Sequence, residues 1–550
     1  MTRSERLARL AAGPFDVLVI GGGITGAGVA LDAAARGLSV ALVEQGDFAE
    51  GTSSRSTKLV HGGLRYLPML DLGLVREDLE ERGLLLRNAP HLVRPLPFVL
   101  PLYRGARNPL GLNLPGIVRA ALPVGMASGL WAYDLLAGRQ PVPRHRALTG
   151  AAAAALFPPL RLEGLRSAYL YYDAVTDDAR LTVTVLRTAV RLGAAACNYA
   201  RVADLTKVGG RVIGARVIDA LTGHALTVSA RTTINATGVW AEAVAGLAGR
   251  PGFRIRPSKG VHLMVPRARL RLGRTALVLP ETDDGRLAFV IPWQGAILIG
   301  TTDTEWLGPP ETPLVERRDV DYLLDHASRF LAVRLTDRDV LGAFAGLRPL
   351  VSMGTGMRAS SARLSRRHEV VPGAEGFVSI VGGKLTAYRR MAEDVMDAAT
   401  GRRAGAPSPT RRLLLDGADG LSGALPELLA RARRLGIGRR GFAHLIRAYG
   451  TGAAALLNAV AARPALGEPL APGCPNIAAE VVVAVREEMA ATIADVLLRR
   501  TRLAHLLPNA GVDAAPRVAA LMAEDLGWSP EDQRAAVHAY RRAATAMAVP

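Results

Sequence analysis

The chain has 550 residues, of which 49% are hydrophobic, and this length and composition predict a globular protein of two or three domains with a large core. The two cysteines, Cys197 and Cys474, lie far apart, which argues against a disulfide framework, a zinc site and a dithiol redox centre and fits a reducing compartment. Residues 1–13 contain no long apolar segment and no uninterrupted run of about 20 apolar residues follows, so we expect neither a signal peptide nor a membrane-spanning helix.

The formal net charge of +19 comes almost wholly from arginine, because only 4 of the 68 basic residues are lysines. Such a charge suits nucleic acid, an anionic membrane or an anionic substrate, and a general bias toward arginine explains it equally well. Lys58, Lys259 and Lys384 lie in dense polar segments, where we expect a compact ammonium group to be required. Lys207 lies beside a Gly-Gly turn, and we expect it to be incidental.

The most informative motif is a glycine-rich turn between an apolar run and a helical pattern. Residues 17–20 are apolar, and the glycines that follow have the spacing G-x-G-x-x-G. Gly21 permits the tight turn, Gly23 lets the backbone approach a pyrophosphate, and Gly26 lets the helix pack closely on the strand. A second apolar run ends at Glu44, whose carboxylate suits a ribose diol. This order predicts a dinucleotide site with the phosphates at the helix N-terminus.

The following segments combine small polar residues, basic residues and prolines. Residues 51–66 are rich in serine, threonine and glycine and then turn basic, which a solvated loop explains only in part. Residues 72–88 carry leucines at helical spacing with charges opposite them, which predicts a helix. Residues 95–140 are rich in proline, leucine and arginine, so they form either the core of a second domain or a basic, apolar surface on a membrane.

Helices and strands alternate in the middle of the chain. Residues 175–193 indicate a helix that begins near Asp177 or Asp178, and strand-like runs follow at 211–219 and 225–234. The second run leads into an Ala-Thr-Gly sequence followed by a helix. We therefore expect a second place where the backbone approaches a cofactor.

The last third of the chain changes from strands to helices. Residues 255–300 indicate strands of a sheet, and residues 378–386 indicate a strand, a Gly-Gly turn and the start of a helix. The proline-containing segment 405–410 predicts a linker. The pattern beyond the linker is almost wholly helical.

Several segments together resemble the FAD-dependent, quinone-linked glycerol-3-phosphate dehydrogenases. They are GGGITGAG at 21–28, KLVHGGLRYL at 58–67, INATGVW at 234–240, SKGVHLMV at 258–265, GTTDT at 300–304, AGLRPL at 345–350 and VGGKLTAYRRMAED at 381–394. Their order and separations match that family across residues 14–400, and the segments at 445–456 and 485–504 resemble its helical domain. Val239 departs from the proline that often follows Ala-Thr-Gly, which we expect to alter turn rigidity but not chemistry.

The resemblance implies an α/β doubly wound FAD-binding domain with an inserted mixed β-sheet substrate domain and an all-α C-terminal domain. The implied FAD-dependent oxidoreductase region spans residues 1–400. Its FAD-binding segments are 14–90, 165–258 and 340–400, and its substrate segments are 91–164 and 259–339. A linker at 401–411 and a helical domain at 412–550 complete the organisation.

The resemblance also implies a reaction. Members of the family oxidise sn-glycerol 3-phosphate to dihydroxyacetone phosphate, transfer a hydride from C2 to FAD and pass the electrons to a membrane quinone. The alcohol requires a base for its proton, and the phosphate dianion requires cations. Because family members are often peripheral membrane proteins, we expect a cytoplasmic protein on the inner face of the cytoplasmic membrane, bound to its anionic surface. A homodimer is also considered.

Cationic candidates for the substrate follow from the matching positions. Arg65, Tyr66 and Lys384 match residues that hold the substrate phosphate, for which arginine supplies a bidentate fork and lysine a point charge. A surface ion pair is the alternative for Arg65. Arg366 matches a further arginine near the substrate, although its arginine neighbours equally suit a solvated basic face.

The catalytic candidates are His262, His61 and Arg348. His262 lies in a predicted strand and is the preferred base, since histidine titrates near neutral pH, and a structural histidine is the alternative. His61 is expected beside the flavin. Arg348 lies among apolar residues, where an unpaired charge is costly, so we expect an anionic ligand or a carboxylate partner for it. It is also a candidate for stabilising the forming alkoxide.

The resemblance assigns the FAD contacts to residues from several segments. They are Gly21, Gly23, Gly26, Glu44, Ser53, Ser54, His61, Val202, Thr237, Gly238 and Thr386. Val202 is assigned by the family alone, and the Gly382-Gly383 turn is expected to place N–H groups near an isoalloxazine carbonyl. No metal is expected.

Two alternative functions stay open. A glycerol-3-phosphate oxidase would use the same substrate residues but reduce oxygen to hydrogen peroxide, and we do not recognise the extra insertion typical of such oxidases. A tRNA-modifying flavoprotein would explain the charge of +19. Because basic residues do not cluster with aromatic ones, we expect no nucleic acid as a partner.

Overall fold

The computed structural model describes residues 1–64, 67, 71–105, 122–249, 251–285, 287–353, 367–401 and 407–550. These residues form a doubly wound parallel sheet, a second mixed sheet and a helical C-terminal domain. The predicted fold class is therefore confirmed.

The strands are β1 Phe15–Ile20, β2 Val40–Val43, β3 Leu59–Val60, β4 Arg94–Tyr103, β5 Arg146–Leu148, β6 Leu165–Val175, β7 Ala195–Cys197, β8 Ala200–Val208, β9 Arg211–Asp219, β10 Ala225–Asn235, β11 Phe253–Pro266, β12 Ala276–Leu279, β13 Ala288–Trp293, β14 Ala296–Gly300, β15 Thr304–Glu305, β16 Gly342–Met353, β17 His368–Pro372 and β18 Phe377–Gly382. The predicted strands at 211–219 and 225–234 are confirmed as β9 and β10.

The helices are α1 Arg3–Ala11, α2 Ile24–Ala35, α3 Leu72–Asn88, α4 Leu122–Ala137, α5 Gly150–Leu156, α6 Asp178–Arg191, α7 Ala241–Ala248, α8 Arg267–Leu270, α9 Arg317–Phe330, α10 Tyr388–Thr400, α11 Leu421–Arg434, α12 Arg439–Tyr449, α13 Ala453–Ala462, α14 Ala479–Arg486, α15 Leu503–Leu506, α16 Ala515–Leu526 and α17 Pro530–Ala544. The predicted helix at 72–88 is confirmed as α3, and Asp177 caps the N-terminus of α6 as its pattern predicts.

The first sheet has the strand order β17-β18-β10-β1-β2-β7. Its central pairs, which join β10 to β1 and β1 to β2, are parallel. The edge pair of β17 with β18 is antiparallel, as are the pairs that β9 forms with β10 and with β8. The apolar side chains of α2, α6 and α10 form one core with this sheet. Parallel sheets need helices on both faces, and their carboxyl ends collect the loops that bind ligands.

The second sheet has the order β15-β11-β14-β13-β12-β4-β6-β3, with β16 paired to β11 and β5 to β6. Most of its pairs are antiparallel, while β12 and β4 are parallel. The strands at 165–175, 253–266 and 342–353 belong to this sheet by pairing. They lie beside the predicted domain limits at 165, 258 and 340, which stay predictions.

The segment 95–140, for which two interpretations were open, divides into a buried strand and a half-exposed helix. Strand β4 is mostly buried in the second sheet. Helix α4 buries Met126, Leu130 and Tyr133 but exposes other large apolar side chains. Residues 106–121 lie outside the described residues.

The C-terminal helices form their own apolar core. The predicted linker packs against the first domain where it is described, since Ser408 and Thr410 are buried and both donate hydrogen bonds to Asp32 of α2. The stretch Arg439–Ala462 is long and apolar enough to cross a membrane by length and composition. It consists of α12 and α13 separated at Gly450, and its side chains join the C-terminal core.

The approach of α2 to β1 predicts the effect of a methyl group at Gly26. A Cβ there would lie 1.9 Å from the carbonyl oxygen of Gly21, whereas a Cβ at Gly246, in exposed α7, meets no atom within 4 Å. We expect Gly26→Ala to destabilise the protein by about 3 kcal/mol or more, because the backbone of α2 must move away from that of Gly21. The same movement should abolish FAD binding. Gly246→Ala is the matched control and should stabilise by about 0.5–1 kcal/mol. Thermal unfolding and flavin content measure both, and an unchanged Gly26→Ala variant would contradict the packing argument.

Candidate active site

A cavity of about 1150 Å³ extends between the two sheets and is lined by residues of both. Of the predicted cofactor contacts, its walls contain Gly21, Gly23, Glu44, Ser53, His61, Val202, Thr237, Gly238 and Thr386. The predicted catalytic residues His262 and Arg348 and the predicted phosphate ligand Lys384 also line it. Arg65, Tyr66 and Arg366 lie outside the described residues.

Two predicted cofactor contacts, Gly26 and Ser54, do not belong to the described lining. Gly26 instead allows α2 to touch the carbonyl of Gly21, which places the helix N-terminus at the turn. Ser54 is buried, and its carbonyl oxygen accepts hydrogen bonds from Lys58 and Arg502. Both residues support the wall of the cavity from behind.

The glycine turn forms a cradle that fits a dinucleotide. Gly21 has a φ of 110°, and a Cβ on it would lie 2.6 Å from the carbonyl oxygen of Ala236, so only glycine fits. Gly23 is the N-cap of α2, and the hydroxyl of Ser53 accepts a hydrogen bond of 2.9 Å from the amide of Ile24. The helix N-terminus therefore faces the cavity with its positive end, as pyrophosphate binding requires.

Glu44 closes one end of this cradle. Its carboxylate accepts hydrogen bonds from the amides of Gly22 (2.6 Å) and Gly46 (2.9 Å). Burial raises the pKa of Glu44 to about 7, although these two bonds favour the carboxylate. Each carboxylate oxygen can accept a further bond, so the position still suits a ribose diol.

The Ala-Thr-Gly turn after β10 forms the part of the cavity wall next to Gly21. The Cα of Thr237 lies 3.2 Å from the position of a Cβ on Gly21, and Gly238 has a φ of 59°. The hydroxyl of Thr237 donates to Asn235 Oδ1 at 2.7 Å. The backbone is therefore fixed beside the cavity, where the predicted second cofactor contact lies.

His262 lies on β11 with its imidazole buried in the cavity wall. Its Nε2 is 2.9 Å from Thr57 Oγ1, and its ring stacks on Phe344 with 5.0 Å between the centroids. Burial, with the nearby charges of Lys58 and Arg348, lowers the pKa of His262 well below 6.5. The ring is therefore neutral at pH 7. Thr57, which the sequence argument did not select, is the side chain that holds it.

His61 lies where the loop after β3 meets the start of α10. Its backbone amide donates to Thr386 Oγ1 at 3.2 Å, and its Nδ1 accepts a hydrogen bond of 3.1 Å from the amide of Gly63. Both His61 and Thr386 line the cavity. The loop and the segment at the start of the helix are therefore joined at the cavity wall.

Two cationic side chains reach the same region. Arg348, on β16, donates to Thr301 Oγ1 at 3.0 Å and to the carbonyl of Thr302 at 3.2 Å, and its Nη1 lies 3.6 Å from Asp303. The expected carboxylate partner of Arg348 is thus present. A Cβ on Gly260 would lie 2.6 Å from Arg348 Nη2, so this glycine leaves room for the guanidinium.

Lys384 follows the Gly382-Gly383 turn and donates to Asp78 Oδ2 at 2.5 Å. Asp78 is buried in α3, its Oδ1 has no hydrogen-bond partner among the described residues, and burial raises its pKa to about 6. Sequence reasoning missed Asp78, since α3 carries several acids and nothing in their spacing singles out one. The pair presents an ammonium group to the cavity on a rigid support.

Family models and known proteins agree with this geometry. The model of the FAD dependent oxidoreductase family matches residues 16–389, and the model of the C-terminal domain of alpha-glycerophosphate oxidase matches residues 408–533. Glycerol-3-phosphate dehydrogenase 2 of Mycobacterium tuberculosis is 42% identical over 96% of this chain and 88% of its own length. The mitochondrial glycerol-3-phosphate dehydrogenase of Homo sapiens is 38% identical over 94% of this chain and 71% of its own length.

A solved structure extends the agreement to three dimensions. The crystal structure of the glycerol-3-phosphate dehydrogenase from Bacillus halodurans, complexed with FAD, superposes with a TM-score of 0.79 and 31% identity. The match covers 99% of this chain and 97% of that one. The glycine cradle, the helix N-terminus and the wall at 236–238 fit the dinucleotide that this fold holds. The chain therefore belongs to the family of FAD-dependent glycerol-3-phosphate dehydrogenases.

Proposed function

We propose that this chain oxidises sn-glycerol 3-phosphate to dihydroxyacetone phosphate and passes the electrons through FAD to a membrane quinone. The observation that carries the proposal is the shared cavity, whose walls hold the glycine cradle, a neutral histidine and the cationic side chains of Arg348 and Lys384. A phosphate dianion suits the cations, and a neutral imidazole suits the removal of a hydroxyl proton. Family membership supports the same reaction.

His262 is proposed to receive the proton of the C2 hydroxyl, because its neutral imidazole lies in the cavity wall. Its Nε2 is 2.9 Å from the hydroxyl of Thr57, which lines the same cavity and fixes the orientation of the ring. Bound FAD supplies the acceptor for the hydride. Arg348 is proposed to stabilise the oxygen that loses its proton, because its guanidinium lies in the same wall.

Lys384 is proposed to bind the substrate phosphate. Asp78 fixes the position of its ammonium group in the cavity wall, and a positive charge at that place suits a phosphate dianion. Arg65, Tyr66 and Arg366 remain proposed phosphate contacts from the family resemblance. The assignments of FAD contacts to the residues that line the cavity are part of this proposal.

Loss of the Lys384 ammonium tests the substrate assignment. We expect Lys384→Ala to raise KM for glycerol 3-phosphate about 10- to 100-fold, because a charge-assisted contact to phosphate is lost, and to leave the weak reduction by glycerol unchanged. Anaerobic bleaching of the flavin by each compound measures this. Lys207→Ala, which removes an exposed lysine at the β8–β9 hairpin, is the control. Equal losses for glycerol and glycerol 3-phosphate would contradict phosphate recognition by Lys384.

Replacement of His262 tests the base. We expect His262→Asn to lower the rate constant of flavin reduction about 10²- to 10⁴-fold with flavin content retained. Because the pKa of His262 is lowered, its basic form persists below pH 6.5, so the acid limb of the wild-type profile should lie below that pH. Stopped-flow reduction across pH measures both effects.

The control for this variant is His326→Asn, which replaces an equally buried histidine in α9 outside the cavity lining. It should retain the wild-type rate. A wild-type acid limb at or above pH 6.5, or a His262→Asn variant of normal rate, would remove His262 from the role of base.

One helix separates the cavity from exposed apolar side chains, which supports a membrane quinone as the acceptor. The residues of α4 that line the cavity are the small Gly125, Ser128, Gly129 and Ala132 and the apolar Leu122, Val124 and Met126. On the same helix, Val124, Trp131 and Leu135 are 72%, 59% and 83% exposed. Exposed tryptophan and aliphatic side chains on a helix suit the membrane interface, where a quinone is dissolved.

The wall next to α4 is apolar as well, and it includes Phe98, Leu100, Val278 and Phe289. The flat face of a quinone ring fits such an apolar surface, whereas the oxygen of the alternative oxidase reaction needs no apolar path to the cavity. We therefore favour a peripheral protein on the inner face of the cytoplasmic membrane. The homodimer stays a prediction.

Removal of the exposed apolar side chains tests the membrane acceptor. We expect the double variant Trp131→Ser and Leu135→Ser, at two exposed residues outside the cavity lining, to bind anionic phospholipid vesicles about tenfold or more weakly. Its turnover with vesicle-borne quinone should fall, and its turnover with a soluble dye should not. Leu307→Ser, at a leucine 91% exposed in the loop after β15, is the matched control. Stoichiometric hydrogen peroxide in air without quinone would favour the oxidase.

A further inference from the structure

Three arginines of the helical C-terminal domain enter the FAD-binding domain as buried charges. Arg499 and Arg500 end the π-helical segment Asp495–Arg500, and Arg502 follows with a φ of 62°. Their exposed fractions are 5%, 2% and 1%. π-Helical turns and left-handed non-glycine residues often mark functional sites. Because a buried guanidinium requires partners, those partners indicate what the segment does.

The first group of contacts holds the loop at the ribose end of the cavity. Asp47 is buried, and its carboxylate accepts hydrogen bonds from Arg499 Nε at 2.5 Å and from both terminal nitrogens of Arg500 at 2.8 Å. Asp47 lies three residues after Glu44, and the neighbouring Ala49 donates its amide to the carbonyl of Gly22. The C-terminal domain thus fixes the segment that joins Glu44 to the glycine turn.

The second group of contacts holds the loop that carries Thr57. Arg502 Nη2 donates to the carbonyl of Ser54 at 3.0 Å and to Asp178 Oδ1 at 3.1 Å. Lys58 Nζ donates to the same two groups, at 3.1 Å and 2.9 Å. Asp178 also accepts from the amide (3.0 Å) and hydroxyl (2.7 Å) of Ser56. One carboxylate therefore binds the residues on both sides of Thr57.

The position of Thr57 matters because its hydroxyl lies 2.9 Å from His262 Nε2. A second contact from the same C-terminal segment reaches this histidine, since His505 packs edge-on against Phe344, on which His262 stacks. Lys58 Nζ also lies 5.0 Å from the Phe344 ring. The C-terminal domain thus touches the surroundings of His262 through both its hydrogen-bond partner and its stacking partner.

We propose that residues 495–502 are a clamp in which Arg499 and Arg500 position the FAD-binding loop through Asp47, while Arg502 positions Thr57 and His262 through Asp178. The catalytic half of this assignment depends on the proposed role of His262. The clamp makes the C-terminal domain a part of the active site, although none of its three arginines lines the cavity. Arg499, Arg500 and Arg502 are positioning residues.

Hydrogen exchange of the holoenzyme tests the clamp without any substrate. With peptide mass spectrometry, Arg500→Gln should speed amide exchange about tenfold or more in residues 44–50, and Arg502→Gln should do so in residues 51–61. Each variant should leave the other segment within about twofold of the wild type. Acceleration in neither segment, or the same acceleration across the whole protein in both variants, would overturn the clamp.

The affinity for FAD and the rate of flavin reduction test the consequence of the clamp for the active site. Arg500→Gln should weaken FAD binding tenfold or more and, at saturating FAD, keep the rate constant of reduction within about threefold. Arg502→Gln should keep FAD bound but lower that rate constant tenfold or more, and Arg502→Lys should recover part of it because one charged donor returns. If Arg500→Gln and Arg502→Gln changed FAD affinity and the rate constant of reduction equally, the separate roles proposed for Arg500 and Arg502 would be wrong.

The control is Arg187→Gln, which breaks contacts of α6 with Asp416, Glu487 and Glu488 at the same domain interface. It should lower the thermal midpoint and change neither flavin affinity nor the rate of reduction. Local changes in exchange without any reduction by polyol phosphates would uphold the positioning contacts and refute the proposed function. A control that reproduced the Arg502→Gln phenotype would instead show a general effect of the interface and refute the clamp.

Discussion

The constraint on which the structure depends is that its buried charges must be paired. Lys58, Asp178 and Arg502 meet behind the cavity although Asp178 lies 120 residues from Lys58 and 324 from Arg502 in the sequence. Removing one partner of such a group leaves an uncompensated charge, which costs about 3–5 kcal/mol. Few arrangements of the loop, of α6 and of the C-terminal helices satisfy all three charges at once. The pairing therefore selects one relative position of these elements.

The same charges explain how a base and cations can share one cavity. Lys58 and Arg348 disfavour the protonated form of His262, and burial acts in the same direction. Arg348, which is proposed to stabilise the substrate oxygen, therefore also helps to keep the imidazole ready to accept a proton. Burial and Arg502 lower the pKa of Lys58 to about 8, which still leaves it charged at pH 7. The charges around His262 thus favour its proposed role as a base.

The parts of the fold that were predictable from the sequence depend on local geometry. The glycine turn could be identified because Gly21, Gly26 and Glu44 lie within one βαβ unit, where spacing alone determines which atoms approach. Helix α3 was predictable from its leucine period. The scarcity of lysine was also informative, since Lys58 and Lys259 are both buried in ion pairs, with Asp178 for the first and Asp319 and Glu316 for the second.

The partners of these charges were not predictable, because they come from distant segments. Nothing in residues 72–88 distinguishes Asp78 from the other acids of α3, and only the fold brings it to Lys384. Ser54 illustrates the same limit. Its sequence context indicates a small polar loop beside a cofactor. In the structure, its carbonyl oxygen instead accepts hydrogen bonds from Lys58 and Arg502, outside the lining of the cavity.

The net charge of +19 is separate from the arginines that are buried in ion pairs, because each pair of one arginine with one carboxylate is neutral. Arg180, Arg389, Arg499, Arg500 and Arg502 are buried and bound to carboxylates, so they contribute little to the field outside the protein. Arginine suits this use because its planar fork keeps several hydrogen bonds when dehydrated. These five arginines thus connect distant segments inside the protein. The charge that could act on a proposed membrane partner comes from the remaining arginines, and α4 adds exposed apolar side chains beside the cavity.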